Sequence, residues 1–122
     1  MKIFITARVD RNEIEHLGKA GAEIEFGGYG VTGEKLNEVE LANKLANVEI
    51  VITEFENVTE QVLSKATKLK YLACLRNEPG ASVDIVAADK KKIPILFAPG
   101  RNAISVAEYT VGLMLEIGRA HV

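Results

Sequence analysis

Two hydrophobic periods take turns along this chain. Lys2-Ile3-Phe4-Ile5-Thr6 is short, apolar and rich in β-branched and aromatic residues, which predicts a strand. Asp10 or Asn12 offers an N-cap for a helix with Ile14, Leu17 and Gly18 at helical spacing, stopped by Gly21. Ala22-Glu23-Ile24-Glu25-Phe26 alternates, the pattern of a strand with one wet face near a sheet edge. Gly27 to Gly33 reads as loop. Leu36, Val39, Leu41, Ala42 and Leu45 recur at three and four, predicting an amphipathic helix. Val48 to Thr53 is a third strand. Asn57 or Thr59 can cap a helix whose inward stripe is Val58, Val62, Leu63 and Ala66. Tyr71 to Leu75 is continuously apolar, as expected inside a parallel sheet. Ser82 can cap a helix carrying Val83, Val86, Ala87 and Ala88, with Lys90-Lys91-Lys92 at the negative end of its dipole. Pro94 to Phe97 is a fifth strand. Ala103 to Val122 reads as a long apolar helix. Strict alternation of strand and helix predicts an α/β fold, a five-stranded parallel sheet with helices on both faces. Ligands of such sheets gather beyond the carboxyl ends of the strands.

Composition narrows the function classes. The chain has 122 residues, 48% of them hydrophobic, enough for one domain with a core. Fifteen basic side chains face seventeen acidic ones, a net charge of −2, which disfavours a nucleic-acid grip. No basic, apolar leader opens the sequence, and no apolar run is long enough for a bilayer. The one cysteine, Cys74, excludes an internal disulfide and a multi-cysteine zinc site; it reads as a small core residue. A cytoplasmic domain is expected.

Gly28-Tyr29-Gly30-Val31-Thr32-Gly33 matches G-x-G-x-x-G, and Glu54 follows at about the fingerprint spacing of 20 residues. A pyrophosphate on a helix N-terminus is the chemistry this motif offers. Three details oppose it: the preceding strand carries Glu23 and Glu25, the run is the second strand-helix loop, and Glu34 would repel a phosphate.

Residues 69–119 carry a resemblance. Leu69-Lys70-Tyr71-Leu72-Ala73-Cys74-Leu75-Arg76 precedes Val83-Asp84-Ile85-Val86-Ala87-Ala88. Ile93-Pro94 opens the next strand, then come Ala98-Pro99-Gly100-Arg101-Asn102 and Val106-Ala107-Glu108. In order and spacing this resembles the D-isomer-specific 2-hydroxyacid dehydrogenases, the group that includes D-3-phosphoglycerate dehydrogenase. The resemblance implies a flavodoxin-like three-layer α/β/α substrate domain over residues 1–102. Residues 103–122 would begin a helix crossing to an NAD-binding domain. It implies that the cofactor NAD and the catalytic Arg, Glu and His belong to later sequence. His16 and His121 match no catalytic position, so this chain alone is expected to be inactive.

The resemblance also places a substrate carboxylate on the backbone N–H groups of the loop Arg76, Asn77, Glu78, Pro79 and Gly80, with Arg76 able to add a bidentate pair. Pro79 stands where the family often has glycine and has no N–H to give. The plainer role for Arg76 is a surface ion pair with Glu78 or Glu54. Asn102 matches an asparagine that touches substrate in some members, or simply caps the long helix. Glu108 and Thr110 match positions at the cofactor or domain interface. The implied substrate is a small 2-hydroxy or 2-keto acid, 3-phosphoglycerate among them, and the implied whole enzyme is a homodimer. The apolar residues of 103–122 cover more than one helix face, so self-association through this helix is expected. Two alternatives stay open: a nucleotide-binding half-domain using Gly28 to Gly33, and a non-enzymatic flavodoxin-like interaction module.

Overall fold

The computed structural model describes residues 1–76, 78–97, 99 and 111. Strands β1 (Lys2–Ile5), β2 (Glu23–Phe26), β3 (Ile50–Thr53), β4 (Tyr71–Cys74) and β5 (Ile95–Phe97) form one all-parallel sheet in the order β2-β1-β3-β4-β5. This is the flavodoxin-like order. The helices are α1 (Arg11–Lys19), α2 (Tyr29–Thr32), α3 (Glu38–Leu45), α4 (Glu60–Lys65) and α5 (Ile85–Lys90).

Register decides which residues share a face. Phe4, Val51 and Leu72 are lateral neighbours, and with Cys74 they enter one core. Leu41, Ala42 and Leu45 of α3, Val62 and Leu63 of α4, and Ala87 and Ala88 of α5 close over it. The opposite face carries Ile3, Ile50 and Tyr71 in one row and Ile5, Ile52 and Ala73 in the next. Ile3 and Ile5 are buried, Ile50 and Ile52 are half-buried, and Tyr71 is 46% exposed. Helix α1 lies against the β2 edge of this face, with the Arg11 guanidinium 3.5 Å from the centre of the Phe26 ring. None of its residues is buried. Among the described residues, the sheet is thus sealed on one side and thinly covered on the other.

Several sequence expectations change in detail. Asp10, not Asn12, caps α1, its side chain accepting from the Asn12 N–H at 2.9 Å. The stretch expected as loop over Gly27 to Gly33 contains the short helix α2, made possible by Gly28 (φ 64°) before it and Gly33 (φ 79°) after it. Leu36 lies ahead of α3 and packs on the core from outside the helix. Asn37 starts α3 through a capping box with Glu40, which turns Val39 outward to 70% exposure. Thr59 rather than Asn57 caps α4. Ser82 closes a 3-10 turn over Pro79–Ala81, and Asp84 caps α5 instead. The start of α5 therefore slips past Val83, which bridges to Val58, and Val86 turns outward at 65% exposure. The helix expected over 103–122 lies outside the described residues, apart from a helical Val111.

Candidate functional site

Parallel strands deliver every loop after a strand to the same edge of the sheet. Here that edge gathers the residues after β1 (Ala7, Arg8), β2 (Gly27 to Lys35), β3 (Glu54 to Asn57) and β4 (Leu75 to Ala81). A cavity of about 560 Å³ opens among them, lined by Tyr29, Gly33, Glu34, Lys35, Phe55, Asn57, Arg76 and Ala81. Two loops that looked like rival sites in the sequence therefore bound one space.

Two rings and two guanidinium groups cross this edge. Tyr29 and Phe55 meet edge to face, centroids 4.6 Å apart at 68°. Arg8 stands over Tyr29 at 5.0 Å and Arg76 over Phe55 at 5.3 Å. The ion pair expected of Arg76 with Glu78 is not among those of the described residues. The ion pairs among the described residues, Lys44–Glu25 and Lys70–Glu49, lie elsewhere. Stacked on a ring, a guanidinium keeps its in-plane N–H fork available for a carboxylate.

Local structure fixes Tyr29. Its backbone N–H donates to Glu56 Oε1 at 2.8 Å, and Glu56 is wholly buried. The Gly30 N–H donates to the Thr6 carbonyl at 2.7 Å. A Cβ on Gly30 would come within 2.5 Å of the Ala7 carbonyl oxygen, and one on Gly28 within 2.6 Å of Glu56 Oε1. These glycines let α2 lie directly on the end of β1. The residues of the motif do not fit a pyrophosphate: the N-terminus of α2 already carries a protein carboxylate, and a second anion there meets like charge.

The turn after β4 is closed by amides that follow the expected nest of Arg76 to Gly80. The N–H groups of Ala81, Ser82 and Val83 donate inside the turn, to Glu78, Pro79 and Pro79 respectively. Pro79 is buried, Glu78 is exposed, and Gly80 lines a neighbouring hollow of about 310 Å³ with Asn57 and Asp84. Of the predicted site, Arg76 alone among the described residues lines the larger cavity; Asn77, Asn102, Glu108 and Thr110 lie outside the described residues. Sequence reasoning missed Arg8, Tyr29, Lys35, Phe55 and Asn57. Their signal was present: two aromatic residues, Tyr29 and Phe55, fall in loops at strand carboxyl ends, where rings have no core to fill. Cys74 is buried, its sulfur 3.6 Å from Ser82 Oγ. No helix among the described residues is long and apolar enough to cross a membrane.

The family model of the D-isomer specific 2-hydroxyacid dehydrogenase catalytic domain matches residues 3–113. A D-3-phosphoglycerate dehydrogenase of Methanocaldococcus jannaschii is 36% identical over 121 residues, covering 98% of this chain and 21% of that protein. A hydroxypyruvate reductase of Thermotoga maritima is 35% identical over 91 residues, 73% of this chain and 29% of that protein. The chain spans between a fifth and about a third of the length of such relatives, from 21% to 35%. Among solved structures, the Thermus thermophilus protein TT0316 superposes with a TM-score of 0.81 at 25% identity, over all of this chain and 38% of its own. An NAD+-bound 3-phosphoglycerate dehydrogenase of Entamoeba histolytica gives a TM-score of 0.73 at 24% identity, over 93% of this chain and 38% of its own, a likeness of fold.

Proposed function

The chain belongs to the D-isomer-specific 2-hydroxyacid dehydrogenase family, and we propose that it forms the first part of the substrate-binding domain of a whole enzyme of that kind. That enzyme would interconvert a D-2-hydroxy acid and a 2-keto acid with NAD. Residues 1–102 would be the substrate domain, and 103–122 the start of a helix leading to a cofactor domain and to a dimer partner in the cytoplasm. The cofactor would supply the redox chemistry from outside this chain. The share of this chain is grip and orientation: holding the acid so that its C2 faces the cofactor side of the cleft.

One observation carries this reading. Arg76 lines the cavity at the carboxyl edge of the sheet, held over Phe55. A carboxylate is the natural partner of such a guanidinium, through two parallel N–H···O bonds. Asn77 and Asn102 are proposed as companions of that grip, and Glu78 to Gly80 as the turn that sets its position. Glu108 and Thr110 are proposed at the cofactor or domain interface.

Binding of a 2-keto acid to this chain, followed by calorimetry, tests the reading. Charge-assisted hydrogen bonds are worth about 1.5–3 kcal/mol, so Arg76→Met should weaken binding roughly ten- to a hundredfold. Arg76→Lys should recover only part of the loss, because a point charge lacks the fork. Unchanged affinity in Arg76→Met would sink the proposal.

A further inference from the structure

The cavity is larger than a short 2-keto acid needs. A water takes about 30 Å³ of liquid volume, whereas the space between Phe55 and the segment from Tyr29 to Lys35 is about 560 Å³. That is the size range of pockets for sizeable organic ligands, roughly 300–1,000 Å³. With the carboxylate of a substrate on Arg76, the remaining space lies alongside Phe55 and Tyr29.

We infer that this space seats the substituent of the substrate, and that the substituent is a flat, aryl-bearing one: the ligand class is an aryl-substituted 2-keto or 2-hydroxy acid. The inference rests on the substrate-domain reading above. Tyr29 and Phe55 meet at 68°, edge to face, with Arg8 over the first and Arg76 over the second, a cluster of flat groups that a further ring can join. The Arg76 guanidinium over Phe55 is a second flat surface. Among the described residues, the formal charges in the lining are Glu34, Lys35 and Arg76. Glu34 and Lys35 are adjacent, exposed and opposite in sign, so among the described residues the far wall offers no concentrated positive charge for a phosphate. The wall is also built in advance. Glu56 fixes the backbone of Tyr29, and Gly30 lets α2 press on Ala7, so the ring is in place before a ligand arrives. The glycine motif that offers no phosphate site thus positions one side of the pocket.

The test is a titration of the full chain with phenylpyruvate, pyruvate and 2-oxoglutarate, followed by backbone amide resonances. Phenylpyruvate is expected to bind at least tenfold tighter than pyruvate or 2-oxoglutarate, and to shift the Tyr29, Gly33 and Phe55 resonances together with Arg76. Phe55→Leu keeps apolar bulk and removes the ring; it should bring the phenylpyruvate-to-pyruvate ratio close to one. Tyr29→Leu is the second variant, should the first fail to fold, with the same expectation. Equal affinities with shifts confined to the Arg76 turn would overturn the aryl inference and leave the substrate-domain reading standing. Tighter binding of 2-oxoglutarate would overturn it in favour of a distal anion. Binding of none of the three would overturn both readings.

Discussion

Glu56 has 0% of its surface exposed, yet it sits one loop away from an open cavity. One carboxylate oxygen takes the Tyr29 N–H, while Oε2 has no partner among the described residues. Such a group persists where removing it costs more, by leaving a buried N–H unpaired. Gly30 belongs to the same joint. Gly30→Ala puts a methyl against backbone that cannot rotate away, and overpacking of this kind costs about 1–3 kcal/mol. Gly18, inside α1, has nothing within 4 Å of its would-be Cβ, so Gly18→Ala should stabilise by about 0.5–1 kcal/mol through helix propensity. Urea midpoints of the two variants should move in opposite directions; a shift of the same sign would refute this account of the joint. A second residue-scale effect depends on pH. Lys70 lies 3.1 Å from Glu49 and donates to its carboxylate, holding Glu49 below its ordinary value. The folded state thus prefers the ionised form more than the unfolded chain does. The stabilisation is present above the ordinary carboxylate range and fades as the pH falls through the lowered folded value. Glu49→Gln should flatten that part of the acid limb in a pH series of melts, as should added salt, because the pair is exposed.

Elements show what the sequence could and could not tell. All five strands stand at or within a residue or two of their predicted spans, because short β-branched runs have few alternatives. Helix starts are less legible. Asn57 and Thr59, or Ser82 and Asp84, are all competent caps, and only packing selects between them. Val58 and Val83 bridge each other, which draws both residues into extended backbone and delays α4 and α5 until after them. Val86 then turns outward, as Val39 does behind the Asn37 cap, although their spacing fits the buried stripe. Part of the site was legible for the same reason as the strands: a parallel sheet fixes which edge carries the loops. Arg76 followed from that. The ring pair did not, since Tyr29 and Phe55 lie 26 positions apart and meet only through the β2-β1-β3 order. The caps give a direct test. Asn37→Ala should cost about 1 kcal/mol by removing the Asn37–Glu40 capping box. Asn57→Ala, at an exposed position that caps nothing, should stay within about 0.5 kcal/mol. Comparable losses at both positions would mean that Asn57 does share in starting α4.

Across the whole molecule the sheet divides unequal duties between its faces. Among the described residues, three helices seal one side, whereas the other carries α1 at the β2 edge and leaves Tyr71 and Leu96 more than a third open. The strand order places β2 at one margin, hydrogen-bonded to β1 alone, under a helix that buries nothing. Local opening draws on buried contacts, so its free energy should be graded across the sheet. In hydrogen-deuterium exchange the amides of β2 and α1 should be lost first, those of β5, the other margin, next, and those of β3 last. Uniform protection across the five strands would contradict this gradient. Tyr29 follows directly after the weakest strand, while Phe55 follows the strongest. One wall of the cavity is therefore hung on the part of the sheet that opens most readily. The free energy of unzipping β2 then sets an upper bound on how firmly the pocket can hold its shape, and a ligand that stacks on both rings would slow exchange at β2 without touching it.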